Sequence, residues 1–366
     1  MKSVRIPLVI TLAWLCSAFA HAQSDIDKLV EQTGIEPAAV AMRDFPGWRA
    51  PKKIVVRDVD GAVEAVEGLL ADVELVAVRS EAEAIAQGAD ADAIIGYCSN
   101  DVVAAAPHAT WVQYFAAGAE RCMQTSRILE RQVVLTNMQK MASPVIADHV
   151  IAMTLALARR LPQFVQVMPS GEWARGYAFG DDMQSISGKT MLVLGLGGIG
   201  TEVARRAAAL EMRVIGTRRS SREGPAFVDY VGLASEMHAL AAQADFIVNA
   251  LPLTPETTAI LDAGFFAAAR PGAHFINVGR GKSVVTADLV NALKTGKLAG
   301  AGLDVTDPEP LPPDHPLWHM DNVIITPHVA SGGGNRNRQM ILLRENLRRF
   351  AAGDALLNVV DPALGY

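Results

Sequence analysis

The sequence predicts an α/β fold with two parallel-sheet series, and three observations carry that expectation. From Lys52 onward, short apolar runs alternate with helix-period stretches, the pattern of parallel strands joined by crossover helices. A long, largely apolar helix interrupts the alternation after Ser143-Pro144. A second series starts at Gly188 and offers six strands separated by helices, enough for a doubly wound sheet.

In chain order, the first series has strand candidates at residues 53–59, 73–78, 91–97, 111–115 and 133–138, with a helical segment at 61–70. Serine can cap a helix and proline can occupy its first position, so Ser143-Pro144 reads as a helix start. That helix continues through 146–161 and ends at Pro162. Being apolar around most of its circumference, it is expected to lie buried between layers or domains. An irregular stretch with Gly171, Trp173 and Gly180 leads to the second series, at 190–195, 213–217, 246–251, 274–278, 302–305 and 323–326. Residues 335–350 read as one amphipathic helix, and no internal repeat or low-complexity segment is present.

A chain of 366 residues, half of them hydrophobic, can bury a sizeable core and points to two domains. The net charge of −6 and the scattered basic residues, paired only at places such as Arg218-Arg219 and Arg348-Arg349, argue against nucleic acid as a partner. Residues 1–22 have the layout of a cleavable signal peptide: Lys2 and Arg5, an apolar run from Ile6 to Ala20, then Ala20-His21-Ala22 with cleavage before Gln23. The run is short for a spanning helix, so no stable membrane insertion is expected and the mature protein is placed in the periplasm or outside the cell. The alternatives are an uncleaved anchor, or a cytoplasmic protein starting later, with Met42 as the candidate. Removing the leader leaves Cys98 and Cys122, expected as two free thiols, with a single bridge as the alternative in an oxidising compartment. No Cys/His spacing reads as a metal site.

Gly195-Leu-Gly197-Gly198-Ile199-Gly200 follows an apolar strand and opens a helix, the setting in which a glycine-rich turn binds a dinucleotide. Gly195 permits the tight turn, Gly197 lets backbone approach a pyrophosphate, and Gly200 lets helix and strand pack closely. The helix N-terminus then presents free N–H groups and a positive dipole end to the phosphates. The next strand ends Thr217-Arg218-Arg219-Ser220, without the carboxylate that would accept hydrogen bonds from the ribose of NAD. Two guanidinium groups and a hydroxyl suit a 2′-phosphate, so NADP(H) is favoured with NAD(H) still open; the other reading is a pair of solvated loop charges.

Further segments resemble the D-isomer-specific 2-hydroxyacid dehydrogenase family, over essentially the whole chain from Lys52 and most strongly from Gly188 to Ser331. Ala250-Leu251-Pro252-Leu-Thr-Pro-Glu-Thr257 resembles the family's strand-end motif beside the nicotinamide. Asn277-Val278-Gly-Arg280-Gly resembles the segment of the catalytic arginine. Gly302-Leu-Asp304-Val with Asp307-Pro-Glu309-Pro-Leu resembles that of the glutamate, and Thr326-Pro-His328-Val-Ala that of the histidine. The resemblance implies two doubly wound, Rossmann-like domains with the active site in their cleft. A substrate domain would comprise 51–148 plus 329–366, a dinucleotide domain 149–328, and the assembly would be a homodimer.

Reducing a 2-oxo acid needs a hydride and a proton, and histidine suits the proton because its ordinary pKa lies near neutrality. His328 is the expected general acid. Glu309 would hold its tautomer and favour its protonated form, and Arg280 would bind the substrate carboxylate and carbonyl. Asp304 would approach the nicotinamide; the alternative is a strand-end aspartate capping a turn. Phe115-Ala-Ala117-Gly118-Ala-Glu120 corresponds to the substrate loop, with Glu120 where the family often has aspartate. Tyr97 and Ser99 either line the same cleft or pack at a strand end, and Asp148-His149 reads as a structural pair. The substrate would be a small 2-oxo or 2-hydroxy acid, with glyoxylate and hydroxypyruvate first and lactate-like, branched or aromatic acids open. Two other classes remain at this point, a non-catalytic dinucleotide sensor and a secreted small-acid-binding protein. The full trio Arg280, Glu309 and His328 argues against the first, and the glycine-rich turn against the second.

Overall fold

The computed structural model describes residues 25–59, 61–124, 126–173, 183–334 and 336–361; the expected leader, residues 1–22, lies outside them. The described residues divide into two compact units. One holds the chain up to Met141 and the segment from Arg336 on; the other runs from Ala142 to Gly334.

The first unit carries five parallel strands: β1 (Lys53–Arg57), β2 (Glu74–Val78), β3 (Ala93–Ile95), β4 (Trp111–Gln113) and β5 (Val134–Thr136). Their order, β2-β1-β3-β4-β5, reverses between β1 and β3, as in a doubly wound sheet. The inner strands β1, β3 and β4 are apolar runs buried on both faces, as crossover helices on each side require, while the edge strand β2 leaves Glu74 and Ala77 exposed. Packing starts earlier than Lys52: a helix over residues 25–33 buries Ile26 and Leu29, and Ile35 and Met42 join the same core. The buried Asp92 carboxylate fixes this segment by accepting from Arg49 Nε at 2.6 Å and Lys52 N at 2.7 Å. The tail forms the expected amphipathic helix, Arg336–Ala352, with Leu342, Leu343, Leu347 and Phe350 buried in this core.

Cys98 and Cys122 are not free thiols but form a disulfide. Cys98 lies just beyond β3 and Cys122 in the helix Glu120–Met123 beyond β4, so the adjacency of β3 and β4 brings their Cα atoms to 5.3 Å.

The second unit carries seven parallel strands, β6 (Thr190–Leu194), β7 (Arg213–Arg218), β8 (Tyr230–Leu233), β9 (Phe246–Asn249), β10 (Ala273–Asn277), β11 (Leu298–Leu303) and β12 (Val323–Ile325). The order β12-β11-β10-β9-β6-β7-β8 reverses between β6 and β9. Six strands were expected. The additional one, β8, is a four-residue edge strand whose Gly232 blurs the alternation. β11 begins four residues before the expected 302, at Leu298, because Gly300 masks its first part. A Cβ at Gly300 would stand 2.7 Å from Asn322 O, and one at Gly302 2.8 Å from Met153 Sδ, so close packing requires both glycines.

The long helix is Ser143–Ala158, with Ala142 as its N-cap, so Ser143 is its first residue and not its cap. It ends at Arg159-Arg160, with Arg160 at φ +54°, and Pro162 sits in the first turn of the next helix, Leu161–Val167. Proline suits that first turn, where no intrahelical N–H bond is lost. Ile146, Val150, Met153 and Leu157 form a buried stripe that packs on the seven-stranded sheet. Among the described residues no helix is long and apolar enough to cross a membrane.

His274, at the start of β10, is buried and stacked on Phe246 with ring centroids 5.0 Å apart. Burial, with the Arg160 charge adding to it, pushes its pKa down to about 4. The unfolded chain therefore binds this proton from about pH 6.5 downward and the folded chain only near 4, so stability is lost as pH falls through that window. The loss amounts to about 3 kcal/mol. Replacing His274 by leucine should flatten the fall in melting temperature between pH 6.5 and 4. Identical pH profiles for parent and variant would remove His274 as the cause.

Candidate active site

At the end of β6 the chain turns at Gly195, with φ +89°, a conformation that favours glycine. The end of β7 holds the turn. Gly195 N donates to Thr217 Oγ1 at 3.2 Å, and Leu196 N to Thr217 O at 3.0 Å. The helix Gly198–Ala209 follows, with Gly197 as its N-cap and no side chain capping it. A Cβ on Gly200 would collide with Gly195 O, so helix and strand meet closer than any other residue permits. At Gly197 a Cβ would meet nothing within 4 Å. That glycine is not required by packing; it leaves the first N–H groups of the helix, at Gly198 and Ile199, open to an incoming anion. These features fit a dinucleotide pyrophosphate.

Thr217 is buried, and its hydroxyl accepts from the glycine turn. Arg218 ends β7 half-buried, and its Nε is buried without a hydrogen-bond partner among the described residues. Arg219 is exposed. The Thr254 hydroxyl, with Glu256's own backbone N–H and a smaller contribution from the Arg219 charge, holds the Glu256 carboxyl below the usual carboxylate range. In the loop after β9, Thr257 Oγ1 donates to Pro252 O at 2.7 Å and accepts from Thr254 N at 2.8 Å, so its hydroxyl shapes the loop. Leu251 and Pro252 are half-buried beside the glycine turn, a Cβ on Gly195 standing 3.2 Å from Leu251 Cδ2.

Asn249 and Asn277 end the neighbouring strands β9 and β10 in register, fully buried. Asn249 Nδ2 donates to Asn277 Oδ1 at 2.9 Å and to Ser283 Oγ at 2.7 Å. Ser283 Oγ in turn donates to Arg280 O at 2.7 Å, and Leu251 N donates to Asn249 Oδ1 at 3.2 Å. One buried network therefore sets both the Leu251 loop and the backbone of Arg280. Glycines on either side tighten the placement: a Cβ on Gly279 would stand 2.8 Å from Leu251 O, and one on Gly281 would overlap Thr306 O. Val278 is buried, and its N–H bonds Asn249 O at 3.1 Å.

Asp304 directly follows β11 and is buried. Its carboxylate accepts from Thr326 Oγ1 at 2.6 Å, Val329 N at 2.9 Å and Ala330 N at 3.1 Å, and its backbone O accepts from His328 N at 2.8 Å. Asp304 thus caps the turn that carries His328, the alternative role weighed for it. His328 sits at φ +54°, in the left-handed region, and its Nδ1 lies 2.7 Å from Glu309 Oε1. A carboxylate only accepts, so Nδ1 carries the proton of this bond and Nε2 is the nitrogen left for other chemistry. Arg280, Glu309 and His328 follow β10, β11 and β12 and so share the carboxyl edge of the sheet with the glycine turn.

In the first unit, Ala117 and Gly118 lie in the bend after β4. Their loop is anchored through carbonyls, Asn137 Nδ2 donating to Ala117 O at 2.7 Å and Met138 N to Ala116 O at 3.0 Å. Tyr97 is buried beneath the Arg57 guanidinium and Ser99 bonds Glu81, so both read as strand-end packing. Asp148 accepts from Arg206 Nε at 2.6 Å, and His149 bonds Thr326. Sequence reasoning missed the roles of Asn249, Ser283 and Thr326; for Asn249 and Thr326 the signal available was a polar residue closing an otherwise apolar strand, whereas Ser283 lies in the short helix Gly281–Ser283.

Residues 151–330 match the family model described as D-isomer specific 2-hydroxyacid dehydrogenase, NAD binding domain. A glyoxylate reductase of Korarchaeum cryptofilum is 32% identical over 284 residues, covering 74% of this chain and 83% of that protein. The structure is similar to the NADPH-dependent glyoxylate/hydroxypyruvate reductase of Sinorhizobium meliloti in complex with NADP and sulfate, with TM-score 0.75 and 28% identity over 86% of this chain and all of that one. It is likewise similar to a D-isomer specific 2-hydroxyacid dehydrogenase of Xanthobacter autotrophicus in complex with NADPH and MES, with TM-score 0.74, 28% identity and coverage of 87% and 100%.

The glycines separate by function, which a pair of variants tests. Gly281→Ala should destabilise by about 1–3 kcal/mol through overpacking. Gly197→Ala should keep the parent's melting temperature and lose dinucleotide affinity, read by fluorescence titration. Unchanged affinity in Gly197→Ala would dissociate this glycine from the ligand.

Proposed function

The chain belongs to the D-isomer specific 2-hydroxyacid dehydrogenase family, whose members are NAD(P)-dependent oxidoreductases, and on that premise we propose that it reduces a small 2-oxo acid to the D-2-hydroxy acid, preferring NADPH. The observation that carries the reading is the 2.7 Å pairing of His328 Nδ1 with Glu309 at the same sheet edge as Arg280 and the glycine turn. Glyoxylate and hydroxypyruvate are the first substrate candidates, supported by the names of the relatives.

A bound reduced nicotinamide supplies the hydride for C2 of the acid. His328 delivers the proton from Nε2 to the carbonyl oxygen, while Glu309 keeps the ring oriented through Nδ1. The Arg280 guanidinium binds carboxylate and carbonyl together and stabilises charge developing on the oxygen. In the first unit, no backbone bond among the described residues engages the N–H groups of Ala117 and Gly118. Hydride and proton together convert C=O to CH–OH, and the reverse reaction uses His328 as base.

Preference for NADPH is supported by the missing carboxylate after β7 and by the buried, unpartnered Nε of Arg218. The neighbours in complex with NADP and NADPH point the same way. One well-formed charge-assisted contact is worth about 1.5–3 kcal/mol, hence about tenfold or more in cofactor preference. Export is supported by the leader pattern and by the Cys98–Cys122 bridge, since disulfides persist in oxidising compartments.

A panel of 2-oxo acids assayed with both reduced cofactors tests the reading. His328→Ala should lower kcat by about 10²–10⁴-fold with the dinucleotide still bound. Arg280→Ala should also raise KM for the acid, and Arg218→Ala should narrow the gap between NADPH and NADH. Near-parental turnover by His328→Ala would end the assignment of the acid, and equal use of both cofactors by the parent would end the phosphate reading of Arg218. N-terminal sequencing of the native protein should begin at Gln23; a chain retaining Met1 in the cytosolic fraction would refute export.

A further inference from the structure

Nothing in the proposed chemistry uses His149, which stands on the long helix Ser143–Ala158, remote in sequence from the His328 turn. Its Nε2 lies 3.0 Å from Thr326 Oγ1 and 3.8 Å from Asp304 Oδ1. The Thr326 hydroxyl has one proton, and it goes to Asp304 Oδ1 at 2.6 Å. Toward His149 the hydroxyl can therefore only accept, so His149 Nε2 must carry a proton. A directed chain results: His149 Nε2–H to Thr326 Oγ1, Thr326 O–H to Asp304, and Asp304 to the backbone of residues 328–330.

That chain ends where the backbone most needs support. His328 is a non-glycine residue at φ +54°, a conformation that persists only when its surroundings over-determine it. Its N–H bonds both Asp304 O and Thr326 O, and the next two N–H groups bond the Asp304 carboxylate. Released from His149, the Thr326 hydroxyl could rotate away from Asp304, and the buried carboxylate would lose its one side-chain hydroxyl donor among the described residues.

We propose that His149, acting through Thr326 and Asp304, is a positioning residue that holds the His328 turn in its working geometry. The inference rests on His328 being the proton donor. It assigns His149 no contact with substrate.

The test uses kinetics and one spectrum on the full-length protein. Thr326→Val keeps the shape and removes the hydroxyl; His149→Leu removes the donor. Each should lower kcat by about tenfold, the scale of a small misplacement at a reacting group, while KM for the acid and dinucleotide affinity stay within about twofold. The double variant should be no worse than either single one, because both cut the same chain. Thr326→Ser and His149→Gln, which restore a hydroxyl and a donor near Nε2, should recover most of the loss. If His149→Leu fails to fold, Thr326→Val and His149→Gln still decide the matter. The imidazole ¹⁵N spectrum should show a protonated Nε2 on His149.

A bare Nε2, losses that multiply in the double variant, or a lowered melting temperature with parental kcat would each overturn the inference. His328→Asn serves as the reference. If it keeps parental turnover, the proton-donor reading falls and this inference with it. If it is inactive while Thr326→Val turns over normally, only the positioning inference falls.

Discussion

At the carboxyl edge of the seven-stranded sheet, backbone segments approach each other more closely than a side chain allows, and the rest of the site depends on that approach. Gly200 lies against Gly195 O, Gly279 against Leu251 O, and Gly281 against Thr306 O. Three loops and one helix N-terminus are thereby drawn together at a topological switch point, where an open parallel sheet leaves room for a ligand. Arg280 is held between two of these contacts, so its backbone is set by packing, and its Nη1 donates to Gly279 O at 2.9 Å.

Close backbone packing buries polar groups, and each must be satisfied or cost stability. Asn249, Asn277 and Ser283 meet that need under Arg280 by bonding one another and the carbonyl of Arg280. Asp304 meets it under His328 by gathering the hydroxyl of Thr326 and two backbone N–H groups. Both devices place buried polar atoms one layer beneath the turns carrying Arg280 and His328. Neither contributes a group that an incoming acid would touch, yet both decide where such groups stand.

Much of this was legible in the sequence because the chemistry sits in short motifs at strand ends. The α/β class, the glycine turn at Gly195 and the tail helix follow from periodicity and glycine spacing. Other features were hidden for identifiable reasons. The first part of β11, residues 298–301, lies outside the strand expected at 302–305 because Gly300 answers to Asn322, a contact invisible along the chain. The Cys98–Cys122 bridge depends on which strands are neighbours, and spacing alone does not carry that. Pro162 was taken to end a helix and instead opens one, since proline is tolerated in a first turn. Thr217, Thr257 and Asp304 also stabilise the turns around them through hydrogen bonds that their motif positions do not show.

Direct transfer of a hydride to C2 with a defined hand is the core of the functional reading. The most direct measurement uses NADPH carrying deuterium at the transferable position of nicotinamide C4, with the 2-oxo acid turned over fastest, hydroxypyruvate for example. The expected product is the D-2-hydroxy acid with one deuterium at C2. An L-configured product, or a product whose C2 hydrogen comes from solvent, would contradict it.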